Sequence, residues 1–220
     1  GAHAAVARRE QRLDGGERRR GHRGRRVWHA WVQSLVVRRA VAHLLALQDE
    51  QGAFGPSSCY GHGIATYAIA ECYGITKRAE LRAPLERALT WILDNQGPRR
   101  DRRNRGGWGY FSPGLQAEDD FARVSVSSWM IMALESARLS GIELPAEVLP
   151  AAREYLELSF DQPNGWFHYN HKPSRVNSAW PTLPASTPAA AFCLLLLGAS
   201  ADDPKVAAGV TFTTERRPEQ

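Results

Sequence analysis

The strongest constraint on this chain is an alternation between two kinds of helix-forming segment. Val37, Ala40, Val41, Leu44 and Leu45 recur at i, i+3, i+4, i+7 and i+8, which marks one face of a helix. Leu85, Ala88, Leu89, Ile92 and Leu93 repeat the pattern, and Val148, Leu149, Ala152, Tyr155 and Leu156 repeat most of it. Between these lie segments of another sort. Residues 63–73, 126–139 and 187–197 are apolar on most sides. A helix that is apolar all round must be buried all round. The expectation is that the amphipathic helices lie outside and the apolar ones inside. Pro84 and Pro145 stand near the expected starts of two amphipathic helices, where proline is tolerated.

The connections repeat as well. The first amphipathic segment runs into Gln48 and then Gly52, Ala53, Phe54 and Gly55. The second runs into Gln96 and, past an arginine-rich insertion, Gly106, Gly107, Trp108, Gly109 and Tyr110. The third runs into Asn164, Gly165, Trp166, Phe167, His168 and Tyr169. A motif recurring every few tens of residues indicates stacked structural units. No strand pattern of useful length interrupts them, so the chain reads as an all-α repeat protein.

Charge separates the ends from this body. Residues 1–26 hold nine arginines against three acids, whereas the whole chain of 220 residues carries only +5. The basic excess therefore belongs to an arm, read as disordered or as a linker, and the helical repeat domain spans residues 27–200. The periodicity fails after residue 200, and Val210, Thr211, Phe212, Thr213 and Thr214 do not look helical, so residues 201–220 read as a C-terminal tail. The body has no basic stripe with interleaved aromatics, which argues against specific nucleic-acid binding. No apolar run approaches the roughly 18 residues of a membrane span. Neither is there a basic stretch followed by an apolar one of the kind a secretory signal carries. Three cysteines, Cys59, Cys72 and Cys193, are no disulfide framework and fit a reducing, cytoplasmic setting.

The turns carry a resemblance. Q-x(3)-G-x-F-G at Gln48 to Gly55 and G-G-W-G-Y at Gly106 to Tyr110 resemble the Gln-Trp repeats of the prenyltransferase and squalene cyclase superfamily. Y-G-H-G-I-A-T at 60–66, S-V-S-S-W at 125–129, M-A-L at 132–134 and S-T-P-A at 186–189 are similar to its bacterial squalene-cyclase-like branch. The resemblance covers about residues 35–200. It implies a terpenoid-cyclase type of α/α toroid, with concentric inner and outer helices. A full ring takes about six helix pairs, and this chain supplies about three, half a ring. The ligand it implies is apolar, of isoprenoid class. A half-ring leaves apolar end faces, so self-association or the remainder of a ring elsewhere in sequence is expected to cover them.

Several groups could carry chemistry. Proton-initiated cyclases use an acid within an Asp-rich segment, held protonated by its surroundings. Asp119 and Asp120 are the candidates here, although A-E-D-D lacks the first aspartate and a helix N-terminus also favours acids. Cys59 with His62, and His168 with His171, have zinc-ligand spacing and lie in turns leading to inner helices. Packing is their expected role and no cofactor is expected; zinc would mark a prenyltransferase-like site. Aromatic faces stabilise cations, so His62, Tyr67, Trp108, Tyr110, Trp129, Trp166 and Tyr169 are ligand-cavity candidates. Trp129, flanked by Met130, Ile131 and Met132, is expected in the core. Glu71 and Glu135 read as matching positions in two buried helices, where a carboxylate serves a site or bonds a neighbouring helix. Two other functions fit the same features: a non-catalytic scaffold for protein or peptide, and an α/α-barrel hydrolase or lyase acting on polysaccharide. The last needs several carboxylates around a wet groove, and inner-helix carboxylates are few.

Overall fold

The computed structural model describes residues 35–55, 59–96, 104–112, 121–170 and 186–215. The Arg-rich arm lies outside these residues. Seven helices occur among them: α1 (Leu35–Ala46), α2 (Cys59–Thr76), α3 (Ala79–Asn95), α4 (Val124–Leu139), α5 (Val148–Leu158), α6 (Ser186–Leu196) and α7 (Pro204–Glu215). The one sheet is a two-residue ribbon pairing β1 (Phe160–Asp161) with β2 (Trp166–Phe167). The all-α expectation therefore holds.

The two kinds of helix occupy two layers. The apolar helices α2, α4 and α6 form a central row, α2 against α4 and α4 against α6. The amphipathic helices α1, α3 and α5, together with α7, flank that row. Adjacent row helices run parallel. Gly63 near the start of α2 backs onto Trp129 and Met130 of α4, and Gly74 near its end backs onto Ser140 just past α4. The core lies between the layers, where Ile69, Leu85, Ile92, Met130, Ile131, Leu134, Tyr155 and Leu156 have essentially no exposed surface.

The Gly-aromatic turns join one flanking helix to the next by a repeated set of bonds. Gln48 Nε2 donates to the Gly52 carbonyl of its own turn at 3.0 Å and to the Pro84 carbonyl of α3 at 2.9 Å. Gln96 Nε2 donates to Gly106 O and to Val148 O of α5, both at 3.0 Å. Glycine is required where the turn meets that helix. Gly106 has φ +80°, and a Cβ there would lie 2.1 Å from the Ala151 carbonyl oxygen. The aromatic residue two places on then binds the row: Phe54 N–H donates to His62 Nδ1, Trp108 N–H to Ser127 Oγ, and Phe167 N–H to Thr187 Oγ1. These three equivalent bonds set the register of the repeats.

Four expectations are corrected. Residues 204–215 are a helix, not part of a tail. Pro204 opens it, Asp203 Oδ1 accepts the Lys205 N–H at 2.9 Å, and Val206, Gly209 and Phe212 pack inward. Burial against α6 overrides the β-branched composition of the segment, so an outer helix does follow the last apolar one. Helix α2 starts at Cys59, which puts Cys59 and His62 in its first turn and not in a loop. Helix α3 starts at Ala79, which leaves Pro84 inside it. Finally, the register set by His62 and Ser127 aligns Glu71 with Ser136 and Glu135 with Ala70, so the two glutamates do not match.

Candidate functional site

Two surfaces of the row gather the aromatic and charged candidates. The first is the rim at the N-terminal ends of α2 and α4. The Cys59 N–H, an orphan donor of the first turn, is capped by the Tyr110 carbonyl at 3.1 Å, and the Val124 N–H by the Tyr169 carbonyl at 3.0 Å. These caps bring the two phenols together, and Tyr110 and Tyr169 hydrogen-bond through their hydroxyls. The Arg123 guanidinium lies 4.1 Å from the centre of the Tyr110 ring, a cation–π contact, and its Nη1 donates to Phe121 O at 3.0 Å. Burial, and then the bond with Tyr110, push the Tyr169 phenol up to about 12, against the pull of Arg123. The rim thus holds two hydrogen-bonded tyrosines beside the Arg123 guanidinium.

The second surface is the side of the row that the flanking helices leave open. Tyr60, Ile64, Tyr67 and Glu71 repeat at i, i+4, i+7 and i+11 along α2, and none is fully buried. Ser125, Trp129 and Met132 form the corresponding stripe on α4; on α6 the same register places Ala189, Phe192 and Leu196 there, none fully buried, with Pro188 and Leu195 exposed one position to the side. Ile64, Phe192 and Leu195 are 38%, 49% and 40% exposed, although they are large and apolar. The Tyr67 and Trp129 rings meet across the α2–α4 seam with centres 6.1 Å apart and planes inclined at 54°. Burial and the nearby Glu71 charge raise the pKa of the Tyr67 phenol. Glu71 is tied to α4 by Ser136 Oγ, which donates to its Oε1 at 2.7 Å.

The candidate cavity aromatics divide among four places. Tyr67 and Trp129 share the open face, which corrects the expectation that Trp129 is core. Tyr110 and Tyr169 share the rim. Trp108 is wholly buried, its Nε1–H donating to Ile92 O at 2.8 Å. Trp166 packs edge-on against Phe212 of α7. His62 is also a core group: its Nδ1 accepts the Phe54 N–H, its Nε2 lies 3.0 Å from Ala88 O, and its ring packs on Trp91. Burial pushes its imidazole down to about 4.

With both nitrogens committed, His62 is poorly placed to hold zinc. His168 pairs with Asp161 at 3.5 Å, and Cys59 is buried. His171 lies outside the described residues, among which no group of three or more His, Cys, Asp or Glu is arranged to hold a metal. Asp119 and Asp120 also lie outside them. Glu135 is buried, its Oε2 accepting from Arg138 Nη2 at 2.8 Å. Two shallow grooves, of about 650 and 480 Å³, flank residues 141–144, one against the start of α5 and one against α3, and neither is lined by a stripe residue.

Sequence reasoning missed Ile64, Phe192 and Leu195, because a helix that looks apolar all round gives no sign of which stripe stays open. No helix among the described residues is long and apolar enough to cross a membrane. No protein-family model matches this chain, and no curated protein matches it significantly.

Proposed function

We propose that the row is an arc of an α/α toroid of the squalene-cyclase and prenyltransferase type, and that its open face binds an apolar, isoprenoid-class ligand. The observation that carries the proposal is the set of aligned stripes. Ile64 and Tyr67 of α2, Trp129 and Met132 of α4 and Phe192 of α6 share the register that the turn bonds set and present one side of the row, with Leu195 exposed beside Phe192. Large apolar residues gathered on one exposed surface mark an interaction site more often than a bare surface. The repeated turns support the arc. Each Gly-aromatic segment ties one flanking helix to the next and the next to the row, as a stack of inner and outer helices requires. A row that curves around its open face would bring the stripes around an elongated hydrocarbon.

The proposal is one of binding. Calorimetric titration with farnesol tests it, using the wild type and Phe192→Glu. The expected result is saturable binding to the wild type that weakens by about tenfold or more in the variant, the effect of about 1.4 kcal/mol. Unsaturable partitioning, or equal binding by both proteins, would overturn the reading.

A further inference from the structure

We infer that the open face selects amphiphiles with a cationic head group, the head lying between the Glu71 carboxylate and the Tyr67 ring, and the tail along Ile64, Trp129, Phe192 and Leu195. This rests on the reading of that face as a ligand surface and adds the class of the head group.

Glu71 is the single charged side chain in the three stripes. Its neighbours along the same stripe are aromatic or aliphatic, with Tyr67 one turn before it and Ile75 one turn after it. The carboxylate is held in place. The Ser136 hydroxyl bonds Oε1 at 2.7 Å, using one of the roughly four lone-pair sites a carboxylate offers. Among the described residues no lysine or arginine forms an ion pair with it. Glu135 on the neighbouring helix shows the contrast: one step out of register, it is buried and bonded to Arg138 through Nε and Nη2. A structural carboxylate in this fold is thus enclosed and paired, whereas Glu71 is exposed one turn from the Tyr67 ring.

The chemistry of the arrangement discriminates by charge. A cation is attracted by the carboxylate and by the Tyr67 ring one turn away. An anionic head would meet the Glu71 charge with no compensating cation among the stripe residues. An uncharged head would gain from the apolar stripe alone. Tyr67 links the two parts of the site, because it touches Trp129 across the seam and feels the Glu71 charge along its own helix.

The test titrates the full chain, by tryptophan fluorescence, with dodecyltrimethylammonium and dodecyl maltoside, each below its micelle concentration. These probes share a twelve-carbon tail and differ in the head. The readout is the ratio of the two affinities in the wild type and in Glu71→Gln, with circular dichroism confirming that each protein stays folded. The cationic probe is expected to bind the wild type about tenfold more tightly or better, and the ratio should fall to about one in the variant. Binding of both probes with equal affinity, or a ratio unchanged in Glu71→Gln, would overturn the head-group inference while leaving the ligand face standing. Failure of both probes to bind would overturn the ligand face and the inference with it.

Discussion

Protonating His62 should loosen the first repeat, and the size of the effect follows from its surroundings. The imidazole is wedged between the Phe54 turn and α3, and only 1% of the residue is exposed. Nδ1 already accepts the Phe54 N–H at 3.1 Å, so a second proton there would face a donor. Nε2 keeps the other proton and donates it to Ala88 O. Burial accordingly lowers the pKa from 6.5 to about 4, with Ala88 and Asp49 pulling weakly the other way. An unfolded histidine titrates near 6.5, so between that pH and about 4 the unfolded chain binds more protons than the folded one. The stabilisation is therefore fully present above pH 6.5 and is lost as the pH falls toward 4. A difference of about 2.5 units at 1.36 kcal/mol each amounts to about 3 kcal/mol.

Urea denaturation at pH 7, 5.5 and 4 measures this loss in the wild type and in His62→Gln, whose amide offers an acceptor and a donor but no proton equilibrium. Carboxylates titrate in both proteins, so the difference between them isolates the imidazole. The wild type should lose about 3 kcal/mol more than the variant over this range. An NMR titration should place the His62 midpoint near 4 in the folded protein. A midpoint at 6 or above, or equal losses in the two proteins, would refute the assigned burial and bonding.

The remaining predictions concern the turns and the two tryptophans. Gly106→Ala should destabilise by several kcal/mol, because a methyl group would strike the Ala151 carbonyl, whereas Gly198→Ala, at φ +84° in open space, should cost only the left-handed strain of about 1–2 kcal/mol; thermal denaturation compares them. Gln96→Ala should cost about 1–3 kcal/mol in chemical denaturation, since it removes the two bonds that join the second turn to α5. Trp108→Ala should cost about 3–5 kcal/mol and Trp129→Ala clearly less, the reverse of what helix position alone suggests.

The layers of this fold were legible in the sequence because burial leaves a periodic trace. A flanking helix such as α3 shows one apolar face, and a row helix such as α4 shows apolar residues on most of its surface. The turn motif was legible for a related reason. Gly52, Gly106 and Gly165 all take a positive φ at the same place in their turns, and Gln48 and Gln96 make the same pair of bonds in the first two, so these residues recur. What stayed hidden depends on contacts distant in sequence. Helix α7 has β-branched residues that speak against a helix, and packing distant in sequence holds it in place: Val206 is buried, Gly209 sits against Ala191 and Phe167, and Phe212 lies beside Trp166. Glu71 and Glu135 follow similar dipeptides, yet a one-residue difference in register leaves one outward and buries the other. Trp129 looked like core because its neighbours in the chain are apolar, but Met130 and Ile131 turn inward while Trp129 stays half-buried on the open face.

The claim that the stripes form the ligand surface is tested most directly by photoaffinity labelling with an isoprenoid that carries a diazirine, followed by peptide mapping. The account expects saturable labelling, competed by farnesol, on peptides of α2, α4 and α6 that contain Ile64, Trp129 and Phe192. Labelling confined to the grooves beside residues 141–144, or labelling that farnesol does not displace, would contradict it.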